Sequence, residues 1–170
     1  MYKAVSILGL LLVTSSAAAQ ETPVETQSIR CGALTYIHAG LGKKSPAFGM
    51  AMLTSTRFYS SLFSASRFTR TGLDTTDRLI LARRDIVLAE LKNSWQSNPE
   101  SVVQEVALCN TWRATYAPRI VKLTESSSPE ELVQTVGYPP EHGSKEQVAK
   151  WRPLVIQAFE QWLNIGATTQ

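Results

Sequence analysis

Three observations predict an all-α protein, an antiparallel helical bundle of four longer helices plus a short one. Apolar side chains recur three and four residues apart along most of the chain, the repeat that lines one face of a helix. Cap residues and prolines stand where helices begin, as in "NPES" and "SPEE", and glycine or proline stands where they end. No alternating apolar and polar run of useful length occurs, so nothing argues for a sheet.

The chain opens on a segment that does not belong to the bundle. "MYKAVSILGLLLVTSSAAAQ" has Lys3, an apolar core from Ala4 to about Val13, and small residues with Ala17 and Ala19 placed as for A-x-A cleavage. Residues 1–19 therefore read as a secretory signal peptide. The apolar run is shorter than the roughly 20 residues a membrane span needs, so no transmembrane span is expected after signal cleavage. Residues 20–26 are expected as a loose N-terminal tail. Residues 27–166 are expected to form a single helical domain, periplasmic or secreted.

The first helix is expected from about Gln27 to Ala39, ended by "AGLGKKSP", where Pro46 opens the next. The second runs to Thr69 with Phe48, Met52, Tyr59, Leu62 and Phe63 on its apolar side, and "TGLDTT" breaks it. The third, about Thr75 to Trp95, takes Asp74 or Thr75 as its cap and turns Leu79, Ile80, Ile86, Val87, Leu91 and Trp95 to the core. In the fourth, Asn98 caps, Pro99 takes the first helical position, and Val102, Val106, Cys109, Trp112 and Tyr116 point inward until Pro118 ends or kinks it. A short helix opens at the capping box of Ser128 and Glu131 and stops at "GYPPEHG". The last opens at a second box, Ser144 and Gln147, and carries Val148, Trp151, Val155, Phe159 and Trp162 to the region of Ile165, with Pro153 near its beginning.

The two cysteines, Cys31 and Cys109, both lie in the mature part. An oxidising compartment turns such a pair into a disulfide, which here links the first helix to the fourth. Closing a loop of about 80 residues restricts the unfolded chain by about 4 kcal/mol on the chain-entropy account. Trp112 and Tyr116, on the same helical stripe as Cys109, are then core residues beside the staple. Arg113 is either an edge-of-core side chain or, with Trp112 and Tyr116, a planar fork for a carboxylate or phosphate.

Charge is nearly balanced but unevenly spread. Without Lys3 the seventeen Lys and Arg become sixteen, against fourteen Asp and Glu, which gives no case for nucleic-acid binding. Between Glu25 and Asp74, however, no acid occurs, while Arg30, Lys43, Lys44, Arg57, Arg67 and Arg70 are basic and several aromatics are interleaved. This segment reads either as a buried helix with its charges reaching water, or as a surface for something anionic in the cell envelope. Lys43, Lys44, Arg57 and Arg67 are the candidate contacts of the second reading.

Catalysis draws little support. His38 and His142 belong to no metal-ligand pattern, no cofactor fingerprint is present, and there is no G-x-S-x-G elbow or phosphate-cradling loop. A His38 and Cys109 nucleophile pair requires a free thiol, which the disulfide removes. The expectation is an exported helical binding or interaction protein without catalytic activity, with a protein partner in the envelope. One specific version is an inhibitor or immunity protein for an envelope enzyme. A module for membrane surfaces, anionic lipid or envelope polymer, using the helix from Pro46 to Arg70, is the alternative, and an enzyme the remaining class.

Overall fold

The computed structural model describes residues 20–43 and 45–167, and over these the protein is all-helical. Residues 1–19, expected to be a signal peptide, and Lys44 lie outside the described residues. The helices are α1 (Pro23–Ala39), α2 (Pro46–Thr71), α3 (Asp77–Ser97), α4 (Pro99–Ala114), α5 (Ile120–Ser126), α6 (Pro129–Val136) and α7 (Lys145–Ala167). Single 3-10 turns, Gly40–Lys43 and Ala117–Arg119, follow α1 and α4. No helix among the described residues is long and apolar enough to cross a membrane.

The expected loose tail over 20–26 is corrected. Helix α1 begins at Pro23, because Thr22 and Glu25 form a reciprocal capping box. The Glu25 amide donates to the Thr22 hydroxyl at 3.2 Å, and the Thr22 amide donates to the Glu25 carboxylate at 3.1 Å. Glu25 is fully buried, and Arg70 at the end of α2 closes on its carboxylate with two bonds of 3.0 and 3.2 Å. A charge in that position is tolerated only because a cation and a backbone amide answer it.

The count of four longer helices and one short one fell below the six helices placed one by one from the sequence, and seven, five long and two short, occur among the described residues. Helix α3 is capped by Thr76 rather than by Asp74 or Thr75. Helix α4 stops at Ala114, two residues before Tyr116, and the chain then passes through the 3-10 turn at Pro118 into α5, which the sequence reading did not anticipate. Cap bonds from Glu131 and Gln147 amides to the Ser128 and Ser144 hydroxyls, 3.1 and 3.2 Å, start α6 and α7 as expected. The return arm of neither box is made, and in the second the Gln147 side chain accepts from the Trp151 indole at 2.9 Å instead.

Helix α1 packs most extensively on α2, and α3, α4 and α7 close around the pair, while α5 and α6 cover the far side of α2. The core joins Leu34 and Ile37 of α1, Phe58, Tyr59, Leu62 and Phe63 of α2, Val102 and Val106 of α4, and Val155 and Phe159 of α7. Helix α3 is peripheral. Only Val87 and Leu91 are fully buried there, while Ile86, expected inward, and Leu81 are exposed.

The disulfide Cys31–Cys109 ties α1 to α4 with Cα atoms 5.4 Å apart. Arg30, one residue before it, holds Glu105 of α4 and Glu90 of α3, so three helices are clasped at one level. Hydrogen bonding to Glu105 raises the Arg30 pKa above its ordinary value. Gly42 and Gly49 fix the entry to α2, since a Cβ on either would stand 2.8 Å from the other's Cα. Gly143 does the same for α7, where a Cβ would meet the Ala107 main chain at 2.6 Å.

Candidate functional site

Helix α2 carries nine serines and threonines, and how they are bonded separates one face from the rest. In a helix interior such a hydroxyl ordinarily folds back onto the carbonyl four residues earlier. Thr54, Ser55, Thr56 and Thr71 do so at 2.8 to 3.0 Å. Thr69 bonds the Ser66 carbonyl, and the Ser66 hydroxyl meets that of Thr22. Ser60, Ser61 and Ser64 make no side-chain hydrogen bond within the described protein, and all three line the same groove.

That groove has a volume of about 680 Å³ and lies between α2, the start of α3, and the α5–α6 junction. The far wall is Thr124, Ser127, Pro129 and Leu132; the floor includes Ala65 and Phe68. Its geometry follows from the turn after α2. Gly72, at φ 69°, caps α2 in the left-handed region and donates to the Phe68 carbonyl at 2.7 Å. The chain then swings away before Thr76 starts α3, so α3 rests on α1 and α4 and leaves an opening beside α2.

Four charges face this opening: Arg57 of α2, Arg84 of α3, and Asp74 and Asp77 at the start of α3. None enters an ion pair among the described residues, although five ion pairs form elsewhere. Arg84 lies over the Tyr36 ring at 4.4 Å, yet its Nε is buried without a hydrogen-bond partner, as is the Thr75 hydroxyl. The charges are graded. Asp74 and Asp77 follow the C-terminal end of α2, near Phe68; Arg84, through Tyr36, stands by Thr56 and Arg57, because the neighbouring Thr35 hydroxyl meets that of Thr56 at 3.0 Å.

The residues expected to form a basic strip are only partly brought together. Arg57 faces the groove and Arg67 does not; ten residues at 3.6 per turn leave them about 80° apart around the axis of α2. Lys43 ends the 3-10 turn after α1, and Lys44 lies outside the described residues. Arg30 and Arg70 of the same acid-free segment are engaged with glutamates.

Trp112, Arg113 and Tyr116 do not converge as a fork. The Trp112 indole and Tyr116 hydroxyl both donate to the Val136 carbonyl, at 3.4 and 2.7 Å, and so anchor α6. Arg113 turns instead to the Ser55 hydroxyl at 3.3 Å; its Nε is buried without a partner, and burial lowers its pKa. His38 is 1% exposed, donates from Nδ1 to the Leu34 carbonyl at 2.7 Å, and packs edge-on to Trp151. Burial pushes its pKa down to about 4. With both sulfurs in the disulfide, the imagined His38 and Cys109 nucleophile pair does not exist.

Sequence alone does not separate the free hydroxyls of α2 from the folded-back ones, and Arg84, Asp74, Thr75 and Asp77 were not among the expected site residues. Comparison with protein-family models, curated proteins and solved structures gives no match.

Proposed function

We propose that this is an exported binding protein that acts through the groove between α2, α3 and α6 rather than through catalysis. The observation that carries this reading is the set of unspent groups on one concave surface: three serine hydroxyls, four unpaired charges and two buried polar atoms without partners. A volume of about 680 Å³ falls in the range of sites for small ligands or a partner's inserted segment. A cleaved signal peptide and the disulfide fit a partner in the cell envelope, and an envelope enzyme held by an inhibitor or immunity protein is one such pairing.

The test has two stages. Expression with the native leader should yield a mature chain beginning at Gln20, read by intact mass. A photo-crosslinking residue at Ser61 should then trap a stoichiometric envelope component in cells, and the same residue at Gln96, on exposed α3 surface outside the groove, should not. Equal trapping at both positions, or co-sedimentation with anionic vesicles without a trapped partner, would remove this reading in favour of a membrane-surface module.

A further inference from the structure

The distribution of charge and hydroxyls in the groove specifies a chemical class of ligand. We propose that it binds a short peptide with both ends free, laid along α2. The peptide's ammonium end lies at Asp74 and Asp77, its carboxylate end at Arg57 and Arg84, and its main chain against Ser60, Ser61 and Ser64. This deepens the reading of the groove as a binding site and rests on it.

Length is the first argument. Asp77 and Arg84 are seven residues apart on α3, about 10 Å along the axis at 1.5 Å per residue. An extended peptide advances about 3.3 to 3.6 Å per residue. Three residues therefore place their two termini at the two charged ends. A zwitterion whose amine and phosphate are separated by two carbons, such as a lipid headgroup, is too short to reach both. A simple anion satisfies Arg57 and Arg84 and leaves the aspartates unanswered.

The stretch between the ends supplies the second argument. Each peptide unit brings one donor and one acceptor that must be matched when water is excluded. A serine hydroxyl donates one bond and accepts others, so it can answer either. Ser60 and Ser64 are one helical turn apart, on the same line, and Ser61 stands beside them; these are the α2 hydroxyls that make no bond of their own. Thr75 and Arg84 Nε contribute buried donors near opposite ends. The aspartate end faces an ammonium group with carboxylates, and guanidinium groups at the other end match a carboxylate in a two-pronged fashion.

The grading also fixes direction. A peptide reversed in the groove would set its carboxylate against Asp74 and Asp77 and its ammonium against two guanidinium groups, which like-charge repulsion disfavours. The site therefore reads chain polarity as well as length.

Titration of the mature protein with trialanine, followed by amide chemical shifts, tests the proposal directly. Expected are shifts at Ser60, Ser61, Ser64 and Thr75, at least tenfold weaker binding after N-acetylation or C-amidation of the peptide, and a similar loss in Arg57→Ala and Asp77→Asn. Both side chains are exposed and unpaired, so the helical spectrum should be retained, and it serves as the folding control. Blocked and free peptides binding alike, no groove shifts at millimolar peptide, or inorganic phosphate producing the same shifts as trialanine would each overturn it. If Ser61 still traps an envelope component while trialanine neither binds nor competes with it, the peptide assignment fails and the binding-protein reading stands.

Discussion

The Tyr59 hydroxyl donates to the main-chain carbonyl of Cys109 at 2.6 Å, so the middle of α2 is tied to the helix end of the disulfide. Tyr59 is fully buried and packs against Phe58 and Trp112. Burial raises its pKa well above the usual phenol value, which keeps the hydroxyl a donor. Covalent and hydrogen-bonded ties thus meet at one residue, and α1, α2 and α4 are held at that level together.

Cys31→Ala or Cys109→Ala should therefore lower stability by about 2 to 5 kcal/mol. Tyr59→Phe leaves the Cys109 carbonyl without its donor and should cost about 1 to 2 kcal/mol. Urea denaturation under non-reducing conditions measures both, and a thiol reagent should label neither native cysteine without reductant.

His38 should make the protein sensitive to mild acid. Its folded pKa, about 4, lies below the ordinary value near 6.5. Above pH 6.5 the ring is neutral in both states and contributes no pH dependence. Between pH 6.5 and 4 the unfolded chain takes up a proton that the buried ring refuses, so stability falls as pH falls, by about 3 kcal/mol at the lower limit. In His38→Leu the urea midpoint should be flatter over this window than in the natural protein, whatever its absolute value. Parallel slopes would contradict the assignment.

Arg113 carries a desolvated charge with one hydroxyl for company. Replacing such a group by an apolar side chain of similar length is often neutral or stabilising. Arg113→Met should leave the melting temperature unchanged or raise it by a few degrees. A clear loss of stability would show that the guanidinium is answered by something besides Ser55.

Glu25 joins the cap of α1 to Arg70 of α2. Glu25→Gln keeps one cap acceptor but removes the charge that Arg70 faces, and should cost about 1 to 2 kcal/mol, with Thr22→Ala costing about 1 kcal/mol. Arg70 is partly exposed, so water moderates the first value. Thermal melts of the two single variants and the double variant would show whether cap and ion pair act as one unit.

The helical class and most helix starts were legible because caps, prolines and periodicity are local signals. Ser128, Ser144, Asn98 and Pro46 all stand where those signals place them. The cysteine pair was legible from there being two cysteines and an expected leader. Helix α5 escaped because seven residues between Pro118 and Ser128 are too few to establish a period. The start of α1 escaped because the Thr22 and Glu25 box was read as tail. The burial of α3 was overestimated, since Ile86 fits an apolar repeat but the helix rests on its Val87 and Leu91 side. Arg84, Asp74 and Asp77 were invisible as a set because the groove exists only once Gly72 has turned the chain and α3 has settled on α1.

The disulfide also divides the chain topologically. Everything from Cys31 to Cys109, including α2 and α3, lies inside a covalent ring, while α5, α6 and α7 are joined to it by the main chain at one end only. A protease that nicks the exposed stretch at Leu73 and Asp74 cuts the ring yet releases no fragment until the sulfurs are reduced. A nick at Glu141 or His142 severs α7 outright, and only its fit against α4, α1 and the 3-10 turn after α1 would then retain it. The groove borders both regions, with one wall inside the ring and the other outside it. Damage in the two regions would thus be read differently: a nick in the ring leaves a scar with every piece still attached, and a nick before α7 loses a helix that lines none of the groove.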